Sequence, residues 1–130
     1  MNKILTNYQG ILKQIDACKN KYQNDYKPPE LIAVSKKFSK EKIQILLDVG
    51  HNIFGENKVQ EAESKWINIR KENLDKRIEL HLIGPLQSNK VFKALDIFDV
   101  IQTLDREKIA IKAKKYLEEN PLKENKKFFV

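Results

Sequence analysis

A lysine at the end of a short apolar run has the clearest chemical potential in this chain. Residues 31–34 are apolar, follow two prolines and lead directly to Lys36. Such a run predicts a short strand that is buried on both faces. A lysine held against apolar walls is driven toward its neutral amine, the form that attacks an aldehyde to make a Schiff base. A strand-end lysine that merely reaches solvent is the simpler alternative.

Side-chain alternation separates Lys36 from the neighbouring Lys37. Successive side chains of a strand point to opposite faces, so Lys36 shares a face with Ile32 and Val34, and Lys37 does not. Ile32 and Val34 are bulkier than the alanine and serine on the other face. This difference predicts that Lys36 is the lysine that points inward.

Two further polar stretches should lie at the same edge as Lys36. Glu56 and Asn57 follow a short second strand, and the polar loop 84–90 follows a strand over 78–83. Ligands bind at the carboxyl ends of the parallel strands in α/β proteins, because the βα loops converge there. We therefore expect both stretches to face Lys36.

The elements that position these residues alternate along the chain. An amphipathic helix over 3–23 comes first, and strands near residues 31, 53, 80, 99 and 127 are each separated by a helix. This βα repeat predicts an α/β fold with a parallel sheet, either open and doubly wound or part of a (β/α)8 barrel. The chain contains neither G-x-G-x-x-G nor a P-loop, so a nucleotide-binding function has no phosphate cradle.

Several side chains carry specific structural expectations. Ser39, Ser88 or Asn89, and Asp105 are placed to cap the helices that follow them, and Gly50 is placed to end one. The helix periodicity predicts a set of inward-facing residues: Val59, Ala62, Trp66 and Ile67; then Val91, Phe92 and Leu95; and then Ile109, Ala113 and Tyr116.

Composition limits the class of protein. With 130 residues, 41% of them hydrophobic, the chain predicts one globular domain. The net charge is +7, but only three of the 25 basic residues are arginines, and the lysines are interleaved with acidic residues. That pattern is typical of a solvated surface rather than a nucleic-acid-binding groove. We expect no nucleic-acid partner.

The cysteine and histidine content bears on location and on metals. Cys18 is the single cysteine, which excludes an internal disulfide and suits a reducing cytosol. His51 and His81 are too few and too differently placed to predict a metal site. The sequence has no apolar run long enough to span a bilayer and no signal-peptide core, so we expect a soluble cytoplasmic protein without membrane contacts.

Three motifs in order carry a family resemblance that covers nearly the whole chain. The chain resembles the pyridoxal phosphate homeostasis protein family in the segments Ala33-Val34-Ser35-Lys36, Phe54-Gly55-Glu56-Asn57 with Val59-Gln60-Glu61, and His81-Leu82-Ile83-Gly84-Pro85-Leu86-Gln87-Ser88-Asn89-Lys90. The family often continues Thr-Lys-Pro after the lysine aligned with Lys36, whereas this chain continues Lys37-Phe38-Ser39.

The resemblance implies a fold, a cofactor and a role. It implies a barrel like the N-terminal domain of alanine racemase, with pyridoxal 5′-phosphate linked as an aldimine to Lys36 and with Asn57 near the cofactor. It implies that the protein buffers and delivers this cofactor inside the cell, without an assigned catalytic reaction and therefore without catalytic residues.

Length sets this chain apart from a complete barrel. A (β/α)8 barrel needs about 250 residues, and its phosphate grip is commonly built by the loops after strands seven and eight. We therefore predict the N-terminal half of such a barrel as a single partial domain over 1–130, with a leading helix over 1–25. Residues 26–130 would form about five βα units, with the last strand cut at the C-terminus.

Alternative functions remain open at this point. The chain could need a second chain to close the barrel, could associate with itself through exposed strand edges, or could be a remnant that binds no cofactor. A racemase-like enzyme would need a second acid/base residue facing the cofactor, which we would expect from the absent half.

Overall fold

The computed structural model describes residues 2–22, 29–123 and 125–130. In these residues, five strands and four helices alternate after the leading helix, with short 3₁₀ turns at Ser88–Lys90 and Pro121–Lys123. Their bounds are α1 Lys3–Tyr22, β1 Ala33–Val34, α2 Lys40–Asp48, β2 Ile53–Glu56, α3 Val59–Glu72, β3 Glu79–Leu82, α4 Val91–Ile97, β4 Val100–Ile101, α5 Glu107–Glu119 and β5 Lys127–Phe128. The predicted turn at Pro28 and the end of the leading helix at 23–25 lie outside the described residues.

All five strands form one parallel sheet in the order β1-β2-β3-β4-β5. Strands that follow one another in sequence are neighbours, and a helix lies in each connection. This confirms the predicted parallel βα repeat. A doubly wound sheet reverses its strand order at a switch point, whereas a barrel adds strands sequentially, so the order within the described residues matches the barrel type.

The helices cover one face of the sheet and bury the core against it. Register pairs Ala33 with Phe54 and Phe54 with Leu80, so these three side chains lie in one row on the helix-covered face. Trp66 of α3 is fully buried, and its ring centroid lies 5.0 Å from that of Phe54. The aromatic pair joins α3 to the middle of the sheet.

The leading helix packs against α2 on the outside of this unit. The Tyr8 hydroxyl lies 3.1 Å from Nδ1 of His51, in the loop between α2 and β2. Its apolar seam is only partly covered, because Ile11 is 43% exposed and Cys18 is also exposed. The Tyr22 side chain, predicted to complete the seam, lies outside the described residues.

Helix ends agree only in part with the sequence signals. Ser39 caps α2 by accepting a hydrogen bond from the Lys42 amide, and Gly50 follows the same helix with a φ of 93°; both predictions are confirmed. The predicted cap at Ser88 or Asn89 is wrong, because both belong to a 3₁₀ turn that leads directly into α4. No side chain caps that helix.

The predicted cap at Asp105 is also wrong. Arg106 occupies the cap position of α5 without a side-chain hydrogen bond to the helix, and the Asp105 carboxylate accepts a hydrogen bond from the Arg106 side chain instead. The charge pair with Arg106 therefore takes the place of a cap.

Most of the predicted inward residues are buried, and two are not. Ile67 is 46% exposed and Phe92 is 43% exposed, so the prediction is wrong at both positions. Ile69, rather than Ile67, completes the buried stripe of α3. Ile67 follows the buried Trp66 and Phe92 follows the buried Val91, so the predicted buried stripe of each helix was one residue too wide.

Candidate functional site

A tight turn presents Lys36 at the carboxyl end of β1. The Phe38 amide donates to the Ser35 carbonyl at 3.1 Å, so Lys36 and Lys37 occupy the two central positions of a four-residue turn. Lys37 has a φ of 62°, the left-handed value that the third position of a type II turn requires. An L-residue other than glycine adopts that value at a cost of about 1 kcal/mol, so neighbouring groups must hold the turn.

Lys36 lies on the sheet face that the helices leave uncovered. Its neighbour Ser35 is 4% exposed and faces the helices, so alternation puts Lys36 with Val34, which is 45% exposed, on the opposite face. The shared face predicted for Lys36, Ile32 and Val34 agrees with this arrangement. Lys36 is exposed rather than held against apolar walls, so the expected burial of its amine is wrong.

The reason for this correction is visible in the packing. The helix-covered face beside β1 is occupied by large side chains, including Phe54 and Trp66, which leaves room only for Ala33 and Ser35. The greater bulk of Ile32 and Val34 therefore did not identify the face of the strand that meets the helices. The small residues Ala33 and Ser35 lie on that face.

The open face beside Lys36 has an apolar floor. A Cβ on Gly55 would lie 3.1 Å from Cγ2 of Ile32 and 3.4 Å from two carbons of Ile83, so these side chains flank the glycine on that face. The absence of a side chain at Gly55 leaves a shallow space between them. Lys36 follows Ile32 by four residues, in the turn at the carboxyl end of β1.

Asn57 follows the strand that pairs with β1. Val34 of β1 pairs with Gly55 of β2, and Lys36 and Asn57 each lie two residues further along their chain segments, beyond the ends of the two strands. Asn57 is half-buried. Both residues therefore lie at the carboxyl edge of the sheet, and the approach of Asn57 to the Lys36 amine stays a prediction.

Glu56 does not join this edge as predicted. It is fully buried on the helix-covered face, where its Oε1 accepts hydrogen bonds from Ser35 Oγ at 3.0 Å and from Trp66 Nε1 at 3.1 Å. Lys65 Nζ lies 2.5 Å from the same oxygen. Among the described residues, the other carboxylate oxygen of Glu56 has no hydrogen-bond partner. The Glu56 carboxylate therefore contacts Ser35, next to Lys36, from the helix-covered face and does not reach the open face.

The loop after β3 packs closely against the loop after β2. A Cβ on Gly84 would lie 2.1 Å from the carbonyl oxygen of Asn57, so only glycine allows this approach. Thr103 Oγ1 donates to the Gly84 carbonyl at 2.8 Å, and Lys112 Nζ donates to the Ser88 carbonyl at 3.1 Å. Arg106 donates to the Leu86 carbonyl. Side chains from α5 and from the loop before it therefore anchor the predicted polar loop.

A cleft of about 300 Å³ separates these two loops. It is lined by Asn57, Lys58, Val59, Gln60, Pro85, Gln87 and Lys90. Its two lysines favour an anionic ligand, and its amide side chains can donate or accept hydrogen bonds. The cleft includes Asn57, which follows β2, the strand paired with β1.

The histidines have structural partners. His51 Nε2 lies 2.6 Å from the Ile53 carbonyl oxygen, and desolvation lowers its pKa below the ordinary value of 6.5, with that hydrogen bond opposing the shift. His81 lies between Glu79 and Gln102, at 2.8 and 2.9 Å. In residues 2–22, 29–123 and 125–130, no three His, Cys, Asp or Glu side chains are grouped so as to hold a metal ion.

Sequence reasoning missed Lys65 and Glu61, which contact the Lys36 turn from α3. A signal was present, since these residues lie four apart in a predicted helix and Lys65 adjoins the inward Trp66. It missed the anchors Thr103, Arg106 and Lys112 because they act on a loop roughly 20 residues away in sequence.

The fold and the site define a parallel βα protein with an exposed lysine and a cleft at the carboxyl edge of its sheet. No protein-family model matches the chain. The pyridoxal phosphate homeostasis protein of Vibrio alginolyticus is 40% identical over 110 residues, which are 85% of this chain and 47% of that protein. Its counterpart from Buchnera aphidicola of Schizaphis graminum is 41% identical over 91% of this chain and 50% of its own length.

Solved structures give the same relationship. PipY of Synechococcus elongatus, solved with PLP bound, has a TM-score of 0.62 at 35% identity, over 77% of this chain and 46% of its own. An unknown protein from Bifidobacterium adolescentis has a TM-score of 0.82 at 26% identity, over 91% of this chain and 51% of its own.

The chain is thus a relative of the pyridoxal phosphate homeostasis proteins, which confirms the resemblance carried by the three motifs. It spans about half the length of the curated relatives that it matches. The same coverage agrees with the prediction that the chain corresponds to half of a longer fold. The described part of the chain has no helix of the length and apolar character needed to cross a membrane.

Proposed function

We propose that this chain binds pyridoxal 5′-phosphate through the amine of Lys36 and serves intracellular homeostasis of that cofactor. The observation that carries the proposal is the turn that presents Lys36 on the open face of the sheet, one strand away from Asn57. A primary amine attacks the aldehyde carbon, a carbon–nitrogen bond forms, and the aldehyde oxygen leaves as water. The name of the relatives and the PLP bound to PipY support the choice of aldehyde.

The residues present fit the cofactor in chemical type. Lys36 supplies the amine, and the floor formed by Ile32 and Ile83 beside Gly55 offers an apolar surface for a planar ring. Lys58 and Lys90 in the adjoining cleft supply positive charge for a phosphate. When bound, the cofactor supplies an electron-withdrawing ring and a reactive aldehyde.

Absorbance spectroscopy with matched variants tests this proposal. We expect pyridoxal 5′-phosphate to give a visible adduct band with the unmodified chain and with Lys37→Ala, and to lose most of that band with Lys36→Ala. Lys37 is a suitable control because it is the adjacent exposed lysine of the same turn. An undiminished band in Lys36→Ala would contradict the proposal.

A second role, as one subunit of a split barrel, is favoured by the edges of the sheet. Among the described residues, β1 and β5 each pair with one neighbour only. Phe129 is 48% exposed beside β5, and an apolar cavity of about 380 Å³ lies between α5 and Phe128. Such surfaces favour association with a second chain or a second copy.

Sedimentation over a range of concentrations tests the second role. We expect the chain to self-associate as its concentration rises, and we expect a charged residue at Phe129 to weaken that association. A strictly monomeric chain up to high concentration would contradict self-association. The exposed free Cys18 supports a reducing, cytoplasmic location for either role.

A further inference from the structure

Side chains of α3 hold the Lys36 turn from the helix-covered side of the sheet. Lys65 Nζ donates to the Ser35 carbonyl at 2.7 Å and to the Phe38 carbonyl at 3.1 Å. These are the first and last residues of the turn. One ammonium group therefore closes the turn that contains Lys36 from both ends.

The ammonium of Lys65 is fully used in this position. Its third contact is with Oε1 of the fully buried Glu56 at 2.5 Å, and an ammonium has three protons to donate. The side chain of Lys65 is only 11% exposed. A charge in such surroundings is retained where every proton has an acceptor, so the position of Lys65 is tightly determined.

Glu61 adds a second contact from the same helix. Its Oε1 accepts a hydrogen bond at 2.5 Å from the amide of Lys37. Lys37 is the residue of the turn with left-handed backbone geometry. Glu61 lies one helical turn before Lys65, and the two side chains are 3.6 Å apart. The helix thus supplies both a donor and an acceptor to a turn that is strained on its own.

We propose that Lys65 and Glu61 are positioning residues for Lys36, holding the Ser35–Phe38 turn so that the Lys36 amine stands ready on the open face. The inference rests on the proposed function of Lys36 and extends it to two residues on the opposite side of the sheet. Without them the turn samples other conformations, and the amine spends less time where it meets the aldehyde.

Reductive trapping with site mapping tests this role. The probe is pyridoxal 5′-phosphate with cyanoborohydride, which delivers hydride to the carbon–nitrogen bond formed with loss of water. Peptide mass spectrometry then measures the trapping rate at Lys36 and at the exposed Lys114, which serves as an internal reference. The ratio of the two rates reports positioning and is insensitive to a change in global stability as long as the protein stays folded.

We expect Lys65→Met to lower that ratio by about tenfold and Glu61→Ala to lower it by about threefold. The matched control Lys40→Met removes an exposed lysine that pairs with Glu72, and it should leave the ratio unchanged. Amide hydrogen exchange gives a second readout without any cofactor, since the amides of Lys37 and Phe38 should exchange faster in both variants.

Lys65→Met removes a buried charge and could unfold the chain, so Glu61→Ala provides an independent test through a side chain that is 31% exposed. Wild-type trapping ratios and wild-type exchange in the folded variants would overturn the positioning role while leaving Lys36 as the binding residue. If the unmodified chain shows no preference for Lys36, the proposed function itself fails, and the positioning role fails with it.

Discussion

The two faces of the parallel sheet differ in how completely their side chains are buried and contacted by other residues. On the helix-covered face, Phe54, Trp66 and Glu56 are buried, and each has a defined partner. On the open face, Val34 is 45% exposed and Lys36 is also exposed. The contacts that stabilise the fold therefore lie mainly on the helix-covered face, and the groups that remain accessible to a ligand lie on the open face.

The largest effect should come from the centre of the helix-covered face. Trp66→Ala removes a fully buried indole that contacts Phe54 and donates to Glu56, and we expect a loss of about 4 kcal/mol in the free energy of unfolding. The matched change on the open face, Val34→Ala, should cost about 0.5 kcal/mol because that side chain is already half-exposed. Urea denaturation measures both. Equal losses would contradict the difference between the faces.

A smaller effect is expected where the two loops meet at the carboxyl edge. Gly84→Ala places a Cβ 2.1 Å from the Asn57 carbonyl oxygen, so the backbone must move, at a cost of about 2–3 kcal/mol. Gly10→Ala is the control, because its Cβ would meet nothing within 4 Å and alanine favours a helix by about 1 kcal/mol. Thermal denaturation should move the two midpoints in opposite directions. A tolerated Gly84→Ala would mean that the loops are not closely packed.

The smallest effect concerns acid stability at the amino end of β2. Burial holds the pKa of His51 below 6.5, so the unfolded chain binds its proton first as the pH falls. The contribution of His51 to stability is therefore present above about pH 6.5 and is lost progressively below it. We expect His51→Gln to reduce the slope of stability against pH between about 7 and 5.5. An unchanged slope would show that His51 does not contribute in this window.

Much of the open face could be predicted from the sequence, because the rules that govern it are local. Strand alternation and turn residues predicted the neighbourhood of Lys36 and Asn57, and the spacing of apolar residues predicted the parallel repeat. Glu56 was expected to face Lys36, but it is fully buried on the helix-covered face, two residues after Phe54 on the same strand.

The remaining errors come from contacts that no local rule contains. Asp105 was predicted as a cap, but it accepts a hydrogen bond from Nε of Arg106, whose Nη2 donates to the carbonyl of Leu86 in a distant loop. Lys65 reaches the Lys36 turn across about 30 residues of sequence for the same reason. Such pairings depend on the finished fold.

The most direct measurement is the location of the trapped cofactor in the unmodified chain. Pyridoxal 5′-phosphate, cyanoborohydride and peptide mapping should find the label concentrated at Lys36 among the 22 lysines, with Lys37 labelled far less. Label spread over the exposed lysines in proportion to their accessibility would contradict the central claim, because the turn would then confer no selectivity on Lys36.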